Sequence, residues 1–328
     1  MTIMTDGKRL FCALIAGCLS FSSSMLLAFD SPYDEKAASL QAETHYVIKA
    51  NKNEGLEYPL DVWAPATPGH YPVFFFLTGL NGLAPNQAYD LTWKKLAARG
   101  VIVVSPEVGV KSPLATKKLG YDFVQLITWM QNNLPQEIKR KGETAVPEME
   151  HLVISGHSSG AKPIVELYKL IHRDVAGLVL IEPVDRDPVN MSKPSVEDDE
   201  YFAYGTPLLV LAAGLANQPG HNWGKLWPPC APDDSSSEYF YKHFAGPKWR
   251  VKALDYGHAD MLERYFLTAL QTTRFCKSAD QLDMEPFRSF LAGSIAAFMK
   301  SQFAKISAYQ PYLEQASLIP VRAEAEFE

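Results

Sequence analysis

The 328-residue sequence is 47% hydrophobic and 21% charged, with 31 Lys and Arg against 37 Asp and Glu and a formal net charge of −6. This is the composition of a globular chain with enough apolar residues for a large core. No long basic run is present to neutralise a phosphate backbone, which excludes nucleic acid as a partner.

The N-terminus stands apart. Lys8 and Arg9 precede Leu10–Phe29, twenty residues without a charge, and a basic start before an apolar stretch reads as an export signal. Three fates fit residues 1–29. Cleavage after Leu26-Leu27-Ala28 gives a mature start near Phe29. Lipidation of Cys18 follows if Leu14-Ile15-Ala16-Gly17-Cys18 is a bacterial lipoprotein box. Retention leaves a membrane anchor, since twenty apolar residues just span a bilayer. The expected location is therefore secreted, periplasmic or membrane-anchored, with the anchor as the route to membrane association. A plastid presequence that begins with a signal peptide is the alternative.

Beyond that segment, His45 to Pro65 reads as an antiparallel β lead-in. Apolar runs then alternate with helical spacing. Val73–Leu77 is a buried strand, Ala88–Ala98 a helix and Val101–Val104 a strand. Tyr121–Leu134 is a helix, Leu152–Ile154 a strand and Pro163–Ile171 a helix. Leu178–Ile181 and Leu208–Leu211 are strands, and Trp249–Leu254 alternates as a strand near an edge does. Met261–Leu270 and Phe287–Phe303 are helices. Strands without polar alternation belong to a parallel sheet covered on both faces, and the repeated strand–helix order points to a doubly wound α/β sheet. One domain over residues 30–310 fits this length. Three long stretches lack periodicity: Gly109–Gly120, Val184–Gly205 and Gly214–Ser237. In such a fold they run over the carboxyl edge of the sheet, where ligands bind. Leu114, Leu215 and Trp223 on these loops are candidates to line an apolar groove. Residues 311–328 are expected as a C-terminal tail, with Glu324, Glu326 and Glu328 solvated. Cys230 and Cys276, 46 residues apart, remain outside the N-terminal segment. They are either a disulfide, suited to an exported chain, or two buried free thiols.

Gly156-His157-Ser158-Ser159-Gly160 follows the strand ending at Ile154 and opens a helix. In that context G-x-S-x-G is a nucleophile elbow, and it implies the α/β-hydrolase fold: a mostly parallel central sheet with helices on both faces. Small residues flank the serine because the turn is sharp, and the helix N-terminus favours developing negative charge. A serine hydroxyl needs a base, and the order in this fold is serine, acid, histidine. Of the eight histidines, His258 lies in a loop directly after the last strand, where the base belongs. His157 fills space beside the serine. For the acid, Glu182 ends the strand Leu178–Ile181, and Pro183 turns the chain away. Asp185 and Asp187 on the following loop are alternatives. Two backbone N–H groups should hold an oxyanion: that of Ser159, after the nucleophile, and that of Leu80 in Thr78-Gly79-Leu80-Asn81-Gly82. No metal-ligand spacing, dinucleotide fingerprint or P-loop is present, and no cofactor is expected. One sequon, Asn190-Met191-Ser192, lies in a loop.

Several segments resemble the chlorophyllase family. Pro72–Gly79 is similar to the family's segment before the oxyanion loop, with Thr78 where plant members usually carry His. Gly156–Gly160 is similar to G-H-S-R-G-G, with Ser159 in place of Arg and Ala161 in place of Gly. Ile181-Glu182-Pro183-Val184 resembles I-D-P-V, whose Asp is the family's triad acid. Pro228-Pro229-Cys230-Ala231-Pro232 resembles P-P-C-A-P, and Asp255–Leu262 resembles D-Y-G-H-M-D-M-L, which holds the triad histidine. The resemblance spans about Tyr71 to Lys300 and extends to platelet-activating-factor acetylhydrolases and cutinase-like lipases. It implies an esterase with Ser158, His258 and Glu182 as triad, acting on a small-molecule ester with an apolar tail, such as chlorophyll. A general carboxylesterase or lipase, and a non-catalytic binding module of the same fold, are the alternatives.

Overall fold

The computed structural model describes residues 30–36, 41–109, 116–186, 193–222, 225–273, 275–280 and 283–328. The strands are β1 (Glu43–Ile48), β2 (Leu60–Pro65), β3 (Gly69–Leu77), β4 (Ile102–Pro106), β5 (Ala145–His157), β6 (Gly177–Ile181), β7 (Leu208–Ala213), β8 (Gly220–Asn222), β9 (Lys225–Trp227), β10 (Lys248–Ala253) and β11 (Ala323–Phe327). The helices are α1 (Gly79–Gly82), α2 (Asp90–Ala98), α3 (Thr116–Arg140), α4 (Ala161–Ile171), α5 (Ser237–His243), α6 (Arg264–Thr273), α7 (Glu285–Gln302) and α8 (Pro311–Glu314). One sheet has the order β1-β2-β4-β3-β5-β6-β7-β10-β11, and β8-β9 is a separate hairpin. The six strands from β4 to β10 in that order run parallel. β1 and β2 are antiparallel additions at one side, and β11 at the other.

Alternating side chains of each parallel strand feed opposite faces. Phe74 and Phe76 of β3 pack in a core with Trp93 of α2 and Phe290 of α7. Val73, Phe75 and Leu77 pack in a second core with Phe123 of α3, Ile164 of α4 and Phe240 of α5. Both faces of the sheet are thus covered, which is why these strands are continuous apolar runs. The α/β-hydrolase architecture expected from the sequence is the one observed.

Several boundaries differ from expectation, among them the start of α3 at Thr116, inside the stretch expected as a loop over Gly109–Gly120, and that of β5 at Ala145. Helix α3 runs through Pro135 to Arg140, where the proline removes one backbone hydrogen bond without ending the helix. The loop expected over Gly214–Ser237 contains the β8–β9 hairpin. The last residues form a strand rather than a tail, with Glu324, Glu326 and Glu328 exposed as expected. β11 pairs with β10 in the register Arg250↔Glu326 and Lys252↔Glu324, and β10 is therefore one strand in from the edge. Glu326 is bonded to Arg250 (2.7 Å) and Glu328 to Lys248 (2.9 Å). The three glutamates alternate with Ala323, Ala325 and Phe327, a strand period that finds its cations on the neighbouring strand.

Among the described residues no helix is long and apolar enough to cross a membrane. Residues 1–29, with Cys18 and every expected processing site, lie outside the described residues, as do Leu114, Asp187, the sequon and Trp223.

Candidate active site

At the end of β5 the chain enters a left-handed residue, Ser158 (φ 55°), before a short 3-10 turn and α4. A side chain in that region is strained by about 1–3 kcal/mol. The surroundings enforce it. A Cβ on Gly156 would stand 2.5 Å from the Gly160 carbonyl oxygen, and one on Gly160 would stand 2.3 Å from that of Thr78. Only glycines let elbow, helix and the loop after β3 approach so closely. The Val184 N–H donates to the Ser158 carbonyl (3.1 Å), tying the elbow to the loop after β6.

The hydroxyl of Ser158 lies 2.8 Å from His258 Nε2, and His258 Nδ1 lies 3.0 Å from Glu182 Oε2. His258 and Glu182 are buried. A carboxylate accepts, so Nδ1 carries the ring proton and Nε2 is left bare to accept from the serine. Glu182 is also left-handed (φ 46°), at the end of β6, and its Oε1 accepts the Ala213 N–H of β7. Both carboxylate oxygens are thus committed to N–H donors. Asp185 is not brought to this ring. It is fully buried and accepts from the Ser195 N–H (2.6 Å), the Ser195 hydroxyl (2.5 Å) and the Val196 N–H (3.1 Å). Burial pushes its carboxyl above the usual carboxylate range, against the pull of those hydrogen bonds and of the Lys162 charge.

Leu80, the second residue of the short helix α1, is left-handed (φ 57°), as is Asn81 after it (φ 55°), and the two kink the helix. Ser159 lies in the 3-10 turn after the nucleophile. The Ser159 N–H belongs to a first helical turn, where no acceptor within the helix exists, and the Leu80 N–H lies in the kinked α1, which packs against the elbow at Thr78 and Gly160. Of the candidate groove residues, Leu215 is described. It is partly buried against the core that holds α7.

Three residues, Asp260, His157 and Tyr89, matter to the site although none was assigned a part in it from the sequence. Asp260, fully buried two positions after His258, accepts from the Gly257 N–H (2.7 Å), the Ala279 N–H (2.8 Å) and the Ser278 hydroxyl. It pins the loop of His258 to residues 278–279. Its position in Asp255-Tyr256-Gly257-His258-Ala259-Asp260 was the available signal. His157, read as filler, is bonded through Nδ1 to the Tyr89 hydroxyl (2.8 Å) and through Nε2 to the His258 carbonyl (3.0 Å). Tyr89 in turn accepts the Gly79 N–H (3.0 Å). Nothing local in the sequence marks Tyr89.

Burial, with the neighbouring His258, lowers the His157 ring from its ordinary 6.5 to about 3. In the unfolded chain this ring gains a proton below about pH 6.5, whereas in the folded protein it stays neutral until about pH 3. Acid therefore favours the unfolded state, and the penalty grows as pH falls between those values. It reaches about 3 kcal/mol near a pH of about 4.5. The urea midpoint of the wild type should fall with acid over this window, and His157→Gln should weaken that dependence.

Cys230 and Cys276 form a disulfide, with Cα atoms 5.6 Å apart. The bridge joins the loop after β9 to the segment that packs on Gly257, whose missing Cβ would stand 2.0 Å from the Lys277 carbonyl. Closing a loop of this length contributes about 4 kcal/mol in the chain-entropy model. Cys230→Ser should lower unfolding free energy by about 2–4 kcal/mol in urea, and dithiothreitol should lower that of the wild type but not of the variant.

Among the described residues, Glu148, Glu150 and His151 lie close enough together to hold a metal ion. They sit where β5 bulges against β3, in the N-terminal half of the strand. His151 Nδ1 is bonded to Glu148 (3.1 Å), and its ring stacks on Phe303. The cluster is remote from Ser158 along β5.

A family model described as Chlorophyllase matches residues 35–327. The chain belongs to the chlorophyllase family. It is thereby a carboxylic ester hydrolase, as the sequence resemblance implied. Chlorophyllase-2 of Arabidopsis thaliana is 26% identical over 296 residues, 86% of this chain and 90% of the relative. Chlorophyllase-1 of the same plant is 28% identical over 258 residues, 74% and 75% of the two chains. Chlorophyllase type 0 of Chenopodium album is 28% identical over 281 residues, 82% and 78%. The chlorophyllase match runs through β11, so the C-terminal strand lies inside the family's extent.

Proposed function

We propose that this member of the family is a serine esterase that hydrolyses an ester of an apolar alcohol through an acyl-enzyme, with chlorophyll as the favoured substrate. One observation carries the mechanism: the line Glu182–His258–Ser158 has a polarity that leaves His258 Nε2 bare beside the serine hydroxyl. Ser158 Oγ attacks the ester carbonyl while Nε2 takes its proton. The carbonyl oxygen becomes an oxyanion, held by the N–H groups of Leu80 and Ser159. Collapse breaks the ester C–O bond, and the alcohol leaves with the proton from His258. Water then adds to the acyl-enzyme by the same route in reverse and releases the acid. With chlorophyll the alcohol is phytol and the acid chlorophyllide. The names of the three plant relatives support this substrate.

The test is incubation of the purified protein with chlorophyll and, separately, with short p-nitrophenyl esters. Chlorophyllide formation is the expected result. Fast short-ester turnover with chlorophyll untouched would replace this reading with that of a general carboxylesterase. No turnover of either ester would favour a binding module.

Residues 1–29 act in this proposal as an export signal or anchor, and the disulfide supports an oxidising destination. N-terminal sequencing of the protein from its native cell checks this.

A further inference from the structure

The bonds around His157 fix the direction of a buried chain of hydrogen bonds. The His258 carbonyl can only accept, so His157 Nε2, 3.0 Å away, must carry a proton. A neutral imidazole then offers Nδ1 as acceptor only, so the Tyr89 hydroxyl at 2.8 Å must donate. Its oxygen is left to accept the Gly79 N–H at 3.0 Å. Both side chains are buried. From these bonds we infer that Tyr89 and His157 are positioning residues that hold the oxyanion loop and the backbone of the base in one register: Gly79 N–H to Tyr89 Oη, Tyr89 O–H to His157 Nδ1, and His157 Nε2–H to the His258 carbonyl.

The inference rests on the serine-esterase reading above, since it assigns Leu80, next to Gly79, and His258 the parts given there. Packing alone does not account for the pair. Phenylalanine and leucine would fill the space, whereas a phenol oxygen and two ring nitrogens, all buried, are stable only when each meets its complement. The geometry also explains why the ring must be neutral. The rings of His157 and His258 are stacked with centroids 5.0 Å apart. A proton on His157 Nδ1 would point at the Tyr89 hydroxyl and set a positive charge beside His258 as that ring takes the serine proton. Burial opposes that protonation.

Five variants and one spectrum test the chain. Tyr89→Phe removes the acceptor of Gly79 and the donor to His157. It should lower kcat on p-nitrophenyl butyrate about tenfold with KM within about twofold, because the oxyanion contact is realised in the transition state. His157→Leu should lose about a hundredfold. The double variant should be no slower than His157→Leu, since one chain is broken in either case. His157→Gln, whose amide N–H can reach the site of Nε2, should recover part of the loss. In the unsubstituted protein, ¹⁵N NMR should show His157 protonated at Nε2 and bare at Nδ1 from about pH 5 to 9. A proton on Nδ1, an unchanged kcat in Tyr89→Phe, or additive losses in the double variant would each overturn the inference. Ser158→Ala separates the two levels. If it is inactive while Tyr89→Phe and His157→Leu keep full kcat, the positioning role alone fails. If it retains turnover, the serine reading fails and takes the inference with it.

Discussion

Ser158→Ala should lower kcat for ester hydrolysis by about 10⁶-fold and leave the fold unchanged. The hydroxyl makes one side-chain bond among the described contacts, to His258 Nε2, and is the only atom removed. Alanine meets the same left-handed backbone and the same close walls at Gly156 and Gly160, so the elbow keeps its shape. What remains is the rate supplied by bound substrate and oxyanion donors, roughly 10³–10⁴ above water. The measurement is steady-state turnover together with labelling by a fluorophosphonate, which should modify one serine in the wild type and none in the variant. A variant retaining more than about one part in a hundred of wild-type kcat would remove Ser158 from the chemistry.

Glu182→Gln should cost about 10⁴-fold in kcat. The carboxylate receives two donors, the Ala213 N–H on Oε1 and the His258 Nδ1–H on Oε2. Glutamine has one carbonyl oxygen for those two donors. The backbone N–H of Ala213 cannot turn away or lose its proton, so the oxygen stays there and the NH₂ group faces His258. Nδ1 must then be the bare nitrogen, which puts the ring proton on Nε2 and leaves the serine without a base. The size and outline of the side chain hardly change, so circular dichroism and melting temperature should stay near wild type. Glu182→Asp keeps the charge but withdraws it by one methylene, and should cost less than the amide. Equal activity of Glu182→Gln and wild type would mean that this carboxylate does not orient the base.

The reach of the sequence followed the range of the interactions. β6 and β7 were legible because both of their faces are buried and their residues are almost all apolar. The elbow was legible because strand, turn and helix are consecutive, Glu182 because it follows directly on β6, and His258 because it lies in the loop that follows β10. Tyr89 lay beyond reach, since its partner His157 is 68 residues away and a buried tyrosine near a helix start is ordinary core. Asp260 stood within a recognisable segment, but its partners Ser278 and Ala279 lie in a stretch without periodicity. β11 was hidden because its period-two alternation pairs glutamates with small alanines, a pattern without the apolar run that marks the buried strands. The cations that hold it, Arg250 and Lys248, come from more than 70 residues earlier.

That last strand has a consequence for how copies of the molecule meet. β11 leaves one row of backbone groups open to a neighbour, the kind of border along which chains zip together. Two such borders laid antiparallel would bring Glu324, Glu326 and Glu328 of each copy against the same triplet of the other, and like charges set opposite one another repel. Arg250 and Lys248 offset part of that repulsion within each copy, and the charged row that remains is one way an open strand resists pairing.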